Sequence, residues 1–170
     1  ASYPKFYRKS IEKLKKEQRK LSKMVKGSNN FYKQVKKVAK IYEHITNQRK
    51  DFLHKLSRNI VNTYDAVCIE DLNMQAMSQC LNFGMSVHDN GWGMFVKMLE
   101  YKLENAGKKL IKVDKMFPSS QLCSCCGYQN KETKNLSVRT WICSNCSSHH
   151  NRDVNAAINI KNEGMRLAFA

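Results

Sequence analysis

Four cysteines in the last third of the chain constrain its fold more than any other feature. They follow the pattern C-x2-C-x16-C-x2-C and are Cys123, Cys126, Cys143 and Cys146. This spacing is typical of a zinc ribbon, in which two short turns each present a pair of sulfurs around one tetrahedral ion. Gly127 follows the first pair, where such a turn favours a positive φ. We therefore predict a structural zinc site with these four cysteines as ligands.

The alternative interpretation of the cysteines is two disulfides in a small secreted domain. The chain has seven cysteines, an odd number, shows no signal-peptide pattern, and is not disulfide-dense elsewhere. A reducing, intracellular compartment is therefore favoured. Cys68, Cys80 and Cys125 are expected to be free thiols, and His149 and His150 to be ordinary loop histidines, because four thiolates already complete a tetrahedron.

The positive charge of the chain is concentrated in its first part. Residues 1–63 carry 18 Lys and Arg against 4 Asp and Glu, whereas the other 107 residues carry 12 against 10. A surface of this kind releases counterions from a phosphate backbone and gives salt-sensitive, sequence-independent affinity. No apolar run is long enough for a membrane span. Nucleic acid, and not a membrane, is the predicted partner.

Two long helices are predicted within this basic part. Apolar residues recur at steps of three and four from Tyr7 to Val25, and again from Phe31 to Ile60. A Gly-Ser-Asn-Asn segment at 27–30 separates the two patterns. The second pattern alternates three- and four-residue steps like the seam of a coiled coil, so we expect the helices to fold back as an antiparallel hairpin.

A strand, a helix and a second strand are predicted next. The run 66–70 has the length of a buried strand, 72–87 reads as a loop, 90–106 is an amphipathic helix stopped by Gly107, and 110–113 is a second strand. This order predicts a right-handed crossover with parallel strands. The ribbon is then an insertion before a final helix at 152–164, which Asn151 caps.

Three carboxylates occupy positions that such a fold uses for chemistry. Glu70 and Asp114 end the two strands, and Asp153 opens the last helix. Functional groups gather at the carboxyl ends of parallel strands, where carboxylates can hold a pair of Mg²⁺ or Mn²⁺ ions for phosphodiester hydrolysis. The alternative is that each acid caps a helix or pairs with a surface lysine.

Several motifs together resemble one known family. The segments VCIEDLN at 67–73, FPSSQLC at 117–123 and NRDVNAA at 151–157, with PKFYRKS at 4–10 and NQRKDFLHK at 47–55, are similar to the C-terminal part of the TnpB family. These proteins are nucleases carried by insertion sequences and are related to type V CRISPR effectors. The similarity extends over nearly the whole chain.

The resemblance implies an α/β fold: part of an RNase H-like (RuvC) domain, with an inserted basic antiparallel helical hairpin and a zinc ribbon. It implies a helical hairpin at 1–63, a strand-helix-strand core at 64–120, the ribbon at 121–150 and a terminal helix at 151–170. By matching motif, Glu70 and Asp153 are the second and third catalytic acids and ligands of Mg²⁺ or Mn²⁺. Arg152 and Asn155 orient Asp153 or touch nucleic acid, and Asp114 lies outside the catalytic set.

The resemblance also implies that DNA is cut at a site chosen by a guide RNA, in the bacterial cytoplasm and in association with the nucleoid. Two departures from the family pattern are present. Asn151 replaces an acid, and the first catalytic aspartate belongs to a strand upstream of Pro4. We therefore expect this chain to be inactive without the N-terminal part of the same protein.

Two other functional hypotheses are compatible with the sequence. One is a zinc-ribbon protein that descends from the nuclease and holds nucleic acid without cutting it. The other is a structural helical hairpin with a zinc-stabilised adaptor, which predicts no affinity for nucleic acid.

Overall fold

The computed structural model describes residues 4–73 and 91–169. Two structural units are present within these residues: the first comprises 4–63 and 91–102, and the second comprises 64–73 and 103–169. The predicted loop over 72–87 falls mostly outside the described residues, as do Cys80 and the predicted helix start at Asn90.

The first unit contains helices α1 (Phe6–Ser22) and α2 (Asn29–Thr63). Their contacts run in opposite order along the chain: the Gln34 side-chain amide donates to the Glu17 carbonyl oxygen at 3.0 Å, whereas the ring of Phe6 packs edge-on against that of Phe52. The two helices are therefore antiparallel in their contacts. Val25, which we expected in the apolar row of α1, is 79% exposed because α1 has already ended in a turn.

Helix α3 (Trp92–Asn105) contributes its first part to the same unit and packs there against α2. Met98 and Leu99 are buried, as is Lys102, which is 3% exposed. The ammonium group of Lys102 donates to the His54 carbonyl oxygen at 2.8 Å and to the Ser57 hydroxyl at 2.7 Å. Its pKa is lowered because burial removes water from the charged form. These two hydrogen bonds of Lys102 thus connect α3 to α2.

In the second unit, strands β1 (Ala66–Glu70) and β2 (Lys109–Val113) pair in parallel, as the strand-helix-strand order predicts. Gly107 ends α3 with a φ of 67°, which confirms the predicted stop. Helix α4 (Arg152–Ala168) packs on both strands. The expectation that β1 is a buried strand is wrong: Ala66 is exposed and the rest of β1 is half-buried, because the sheet of the described residues has two strands only.

Gly164 marks the closest approach of α4 to the sheet. A Cβ added at this glycine would lie 2.8 Å from the Cβ of Cys68 and closer still to its sulfur. The absence of a side chain therefore allows α4 to rest against β1.

The ribbon precedes α4 in the same unit. It contains a 3-10 turn (Lys131–Lys134) and two short antiparallel strands, β3 (Thr140–Ile142) and β4 (His149–Asn151). Trp141 packs with Cys123 and Cys143 in a small core. Strand β4 continues into α4 without a loop, and Asn151 caps the helix by accepting from the backbone N–H groups of Asp153 and Val154, as predicted.

Candidate functional site

The four predicted zinc ligands come together in one cluster. Their sulfur atoms all lie within 4.8 Å of one another. Cys123 Sγ is 3.6 Å from Cys146 Sγ, and Cys126 Sγ is 3.6 Å from Cys143 Sγ. A tetrahedral ion with Zn–S bonds of about 2.3 Å separates its ligands by roughly 3.8 Å, so the cluster can hold a metal ion such as zinc with little movement. All six cysteines of the described residues carry free thiols, which excludes disulfides among them.

The two ligand turns share one backbone design. The N–H of Gly127 donates to the Cys123 carbonyl oxygen, and the N–H of Ser147 donates to the Cys143 carbonyl oxygen, both at 2.8 Å. Both residues have positive φ, 77° for Gly127 and 57° for Ser147. The glycine confirms the prediction for the first turn, whereas the second turn places a serine in a conformation that costs it strain.

The pKa values of the ligand thiols differ. Burial raises the pKa of the Cys123 thiol to about 12, whereas hydrogen bonding with the Ser148 side chain lowers the pKa of Cys146 to about 6. Cys146 is exposed and Cys123 is 2% exposed. A bound cation would supply the positive charge that a buried thiolate at Cys123 requires, so the donor set fits a thiophilic metal.

His150 is part of this cluster and not an ordinary loop histidine. It lies in β4, is 8% exposed, and its ring stacks on Trp141 with centroids 4.6 Å apart. Its Nε2 is 3.0 Å from Cys123 Sγ, a hydrogen-bonding distance. His149 is exposed, as expected. The sequence does not indicate which of the two histidines is buried, because that depends on which face of the three-residue strand β4 packs against the ribbon core.

Glu70 and Asp153 line one cavity of the second unit, with a volume of about 780 Å³. Glu70 ends β1, and Asp153 lies in the first turn of α4, which packs on that strand. Burial raises the pKa of the Glu70 carboxyl. Asp153 is exposed and lies 3.8 Å from the guanidinium of Arg139. The other charged side chains that line the cavity are all basic: Lys115, Lys134, Arg139 and Arg152.

Asp114 does not line this cavity. Its carboxylate accepts a hydrogen bond of 2.6 Å from the backbone N–H of Met116 and so closes a turn after β2. This local contact accounts for the acid without a catalytic role.

Asn155 is buried, at 1% exposure, and both ends of its amide are occupied. Its Nδ2 donates to the Leu122 carbonyl oxygen at 2.6 Å, and its Oδ1 accepts from the backbone N–H of Ser124 at 2.9 Å. Asn159, one turn later, also donates to Leu122, at 2.7 Å. Sequence analysis missed Asn159, although an Asn at i and i+4 on an otherwise amphipathic helix could have indicated a polar contact.

The first unit has a basic groove between α1 and α2, with a volume of about 500 Å³. Its charged lining includes Lys13, Lys20, Lys37, Lys40 and Glu17. Glu17 is already paired with Lys20 at 2.8 Å, and this hydrogen bond lowers its pKa. The other three lysines of the lining leave the groove with a net positive charge.

Two family models match the chain. Residues 1–81 match the OrfB_IS605 family, described as "Probable transposase", and residues 92–160 match the "Cas12f1-like, TNB domain" family. The first part of the chain is thus similar to one family and the later part to the other.

Individual relatives with names show which proteins the chain is similar to. A Streptomyces pristinaespiralis protein named "Putative RNA-guided DNA endonuclease" is 41% identical over 95% of the chain, and InsQ of Escherichia coli K12, which has the same description, is 32% identical over 91%. TnpB-like protein L79 of Acanthamoeba polyphaga mimivirus is 26% identical over 86%. These matches confirm the resemblance to the TnpB family. The chain covers 40% of the first relative and 42% of the second.

Solved structures agree on the fold. The Cas12f1 chain of a complex with sgRNA and target DNA aligns with a TM-score of 0.58 at 23% identity, over 89% of this chain and 40% of that one. A CRISPR-Cas12f ternary complex aligns with a TM-score of 0.57 at 20% identity. Within residues 4–73 and 91–169, no helix combines the length and hydropathy needed to cross a membrane.

Proposed function

We propose that this chain is the C-terminal part of an RNA-guided DNA endonuclease that hydrolyses phosphodiesters with divalent metal ions. The observation that carries the proposal is the cavity that Glu70 and Asp153 line together, although they are distant in sequence. The relatives named as RNA-guided endonucleases support the same reaction. In this proposal β1, β2 and α4 belong to a RuvC-like domain, and α1 and α2 form the basic hairpin inserted in it.

Glu70 and Asp153 would hold Mg²⁺ or Mn²⁺ through their carboxylate oxygens, the hard ligands that these ions prefer. A bound ion pair supplies activation of a water molecule and stabilisation of the leaving oxygen. Partial burial of Glu70 removes part of the water that solvates its carboxylate and so raises its pKa. A nearby cation would therefore stabilise the charged form of this carboxylate. The first catalytic aspartate is supplied from outside these 170 residues, and the chain alone does not cut DNA.

The basic residues of the cavity bind the substrate in this proposal. Lys115, Lys134 and Arg152 line the same cavity as the two acids and would contact the phosphates on either side of the cut. Arg139 pairs with Asp153 at 3.8 Å, but both side chains are largely exposed, at 69% and 79%. An exposed pair of this kind is weak, so Arg139 is free to exchange the carboxylate for a phosphate.

The helical unit is the proposed site of sequence-independent nucleic-acid binding. Lys13, Lys37 and Lys40 are exposed and line the groove between α1 and α2, where their ammonium groups can contact a phosphate backbone. Guide RNA and target DNA are the proposed partners, in the cytoplasm and near the nucleoid. The cysteine cluster holds a structural zinc ion that maintains the ribbon beside the cavity.

Substitution of the two acids tests the proposal. In a cleavage-competent protein that contains this chain with its upstream segment and guide RNA, Glu70→Ala and Asp153→Ala should each lower Mg²⁺-dependent cutting at least about 10³-fold. Asp114→Ala is the matched control and should cut normally, since its carboxylate closes a turn. Cutting that survives both changes would remove Glu70 and Asp153 from the mechanism.

The concentration of positive charge in residues 1–63 favours a second candidate function, a zinc-ribbon protein that binds nucleic acid without cutting it. This alternative predicts salt-sensitive retention on RNA or DNA and no cutting in any combination with an upstream segment. Loss of retention between roughly 50 and 200 mM salt, with a slope set by the number of contacted phosphates, is expected for both functions. Absence of retention at low salt would refute both.

A further inference from the structure

We propose that Asn155 and Asn159 are positioning residues that fix the first ligand turn of the ribbon to α4, so that metal loading of the cysteine cluster sets the position of Asp153. The role of Asp153 in this inference rests on the proposed function. The coupling between the ribbon and α4 rests on contacts alone.

The contacts are hydrogen bonds between two buried asparagine side chains of α4 and the backbone of residues 119–124. Asn155 bonds to the Leu122 carbonyl oxygen and to the N–H of Ser124, on either side of the ligand Cys123. Asn159 bonds to the same Leu122 oxygen at 2.7 Å and to the Ser119 carbonyl oxygen at 2.8 Å. Both side chains are at least nine-tenths buried. The backbone around the first ligand therefore follows α4 closely.

The start of α4 is also held from the other side of the ribbon. The N–H of Arg152 donates to the Arg139 carbonyl oxygen at 2.8 Å, and the Arg152 side chain donates to the Asn135 carbonyl oxygen at 3.3 Å. Strand β4 runs directly into α4, and Asp153 is the second residue of that helix. Asp153 is thus connected to the ribbon by hydrogen bonds on two sides and by the chain itself.

Metal loading is what makes this connection rigid. Cys123 lies between the two residues that Asn155 binds, and a metal ion would tie it to Cys126, Cys143 and Cys146. Without the ion, the four sulfurs contact one another through weak S–H interactions, and the contact of Cys123 Sγ with His150 Nε2 does not tie Cys123 to the other three ligands, so the turn can open. Opening leaves the buried Asn155 amide without its partners, which destabilises the first turn of α4.

Hydrogen exchange of the zinc-loaded chain tests the coupling. Removal of zinc by a chelator should raise the exchange rates of the amides at 152–156 at least about tenfold. Asn155→Ala should exchange rapidly at these amides even while it retains one zinc per chain. Asn162→Ala changes an exposed asparagine of the same helix and should behave like the unaltered chain. If Asn155→Ala does not retain zinc, Asn159→Ala decides, because it keeps both contacts of Asn155.

Two results would overturn the inference: equal exchange at 152–156 with and without zinc in the unaltered chain, or zinc-loaded Asn155 and Asn159 variants that match Asn162→Ala. In the cleavage-competent protein, Asn155→Ala should raise the Mg²⁺ concentration for half-maximal cutting about tenfold without changing nucleic-acid affinity. If hydrogen exchange depends on zinc but no variant cuts DNA, the proposed function is refuted and the coupling between the ribbon and α4 is not. Cutting whose Mg²⁺ dependence is unchanged by Asn155→Ala would refute the positioning role alone.

Discussion

Gly164→Ala should loosen the packing of α4 on the sheet. The added Cβ would lie 2.8 Å from the Cβ of Cys68, a separation that rotation of the Cys68 side chain cannot relieve because both atoms are fixed by the backbone. Overpacking of this kind costs about 1–3 kcal/mol. The higher helix propensity of alanine returns up to about 1 kcal/mol. We expect a net loss of about 1–2 kcal/mol, or a fall in Tm of roughly 2–8 °C for a chain of this length.

Thermal unfolding of the zinc-loaded chain, followed by circular dichroism, measures this change. Gly93→Ala is the matched control: Gly93 lies in helix α3, and among the described residues no atom outside its chain neighbours and its helix's own nearby backbone lies within 4 Å of the added Cβ. It should gain about 0.5–1 kcal/mol. In a Cys68→Ala background the cost of Gly164→Ala should shrink by at least about 0.5 kcal/mol, because the sulfur is gone. Equal stabilisation by Gly164→Ala and Gly93→Ala would refute the close approach.

Three further predictions concern the ribbon and the cavity. Ser147→Gly should raise the free energy of unfolding by roughly 0.5–1 kcal/mol in chemical denaturation, since glycine adopts φ of 57° without strain; an unchanged midpoint would contradict this. Cys143→Ser should lose zinc in elemental analysis, whereas the control Cys125→Ser, in the same ribbon, should keep one zinc per chain. Glu70→Gln should stabilise the chain at pH 7, without divalent cations, by at most about 1 kcal/mol, because the folded state raises the pKa of this partly screened carboxyl. The raised pKa favours the protonated form in the folded state, so the carboxyl contributes its full stability below the unfolded pKa and loses it as pH rises through the folded pKa. The advantage of Glu70→Gln should therefore shrink as pH is lowered through that range, and an advantage constant with pH would contradict the assignment.

The features that were predictable from sequence are those with a short, regular spacing. The cysteine pattern predicts the ligand cluster, and the apolar steps predict α1 and α2 within a few residues of their observed bounds. Asn151 and Gly107 predict one helix start and one helix end, because caps depend on local backbone chemistry.

The features that were missed depend on contacts between distant segments. Asn159 and His150 are polar residues that sequence patterns assign to the surface, yet each is buried by a partner that only the fold brings close. The pattern ended the last helix at Gly164, whereas α4 continues to Ala168 and the close approach of Gly164 to Cys68 gives this glycine a packing role. The pattern also extended α1 to Val25, since hydropathy alone does not reveal the turn that ends the helix.

The buried Lys102 adds one more positive charge to a helical unit that is already strongly basic. Its ammonium group is held inside a unit where residues 1–63 alone carry 18 Lys and Arg, and both acceptors described for it are uncharged. Mutual repulsion among these cations raises the free energy of the folded form relative to the extended chain. A polyanion lying along the outer lysines screens that repulsion and selectively stabilises the folded form. In the proposed function, folding of this unit and binding of a polyanion are therefore coupled, and a bound polyanion would stabilise the unit.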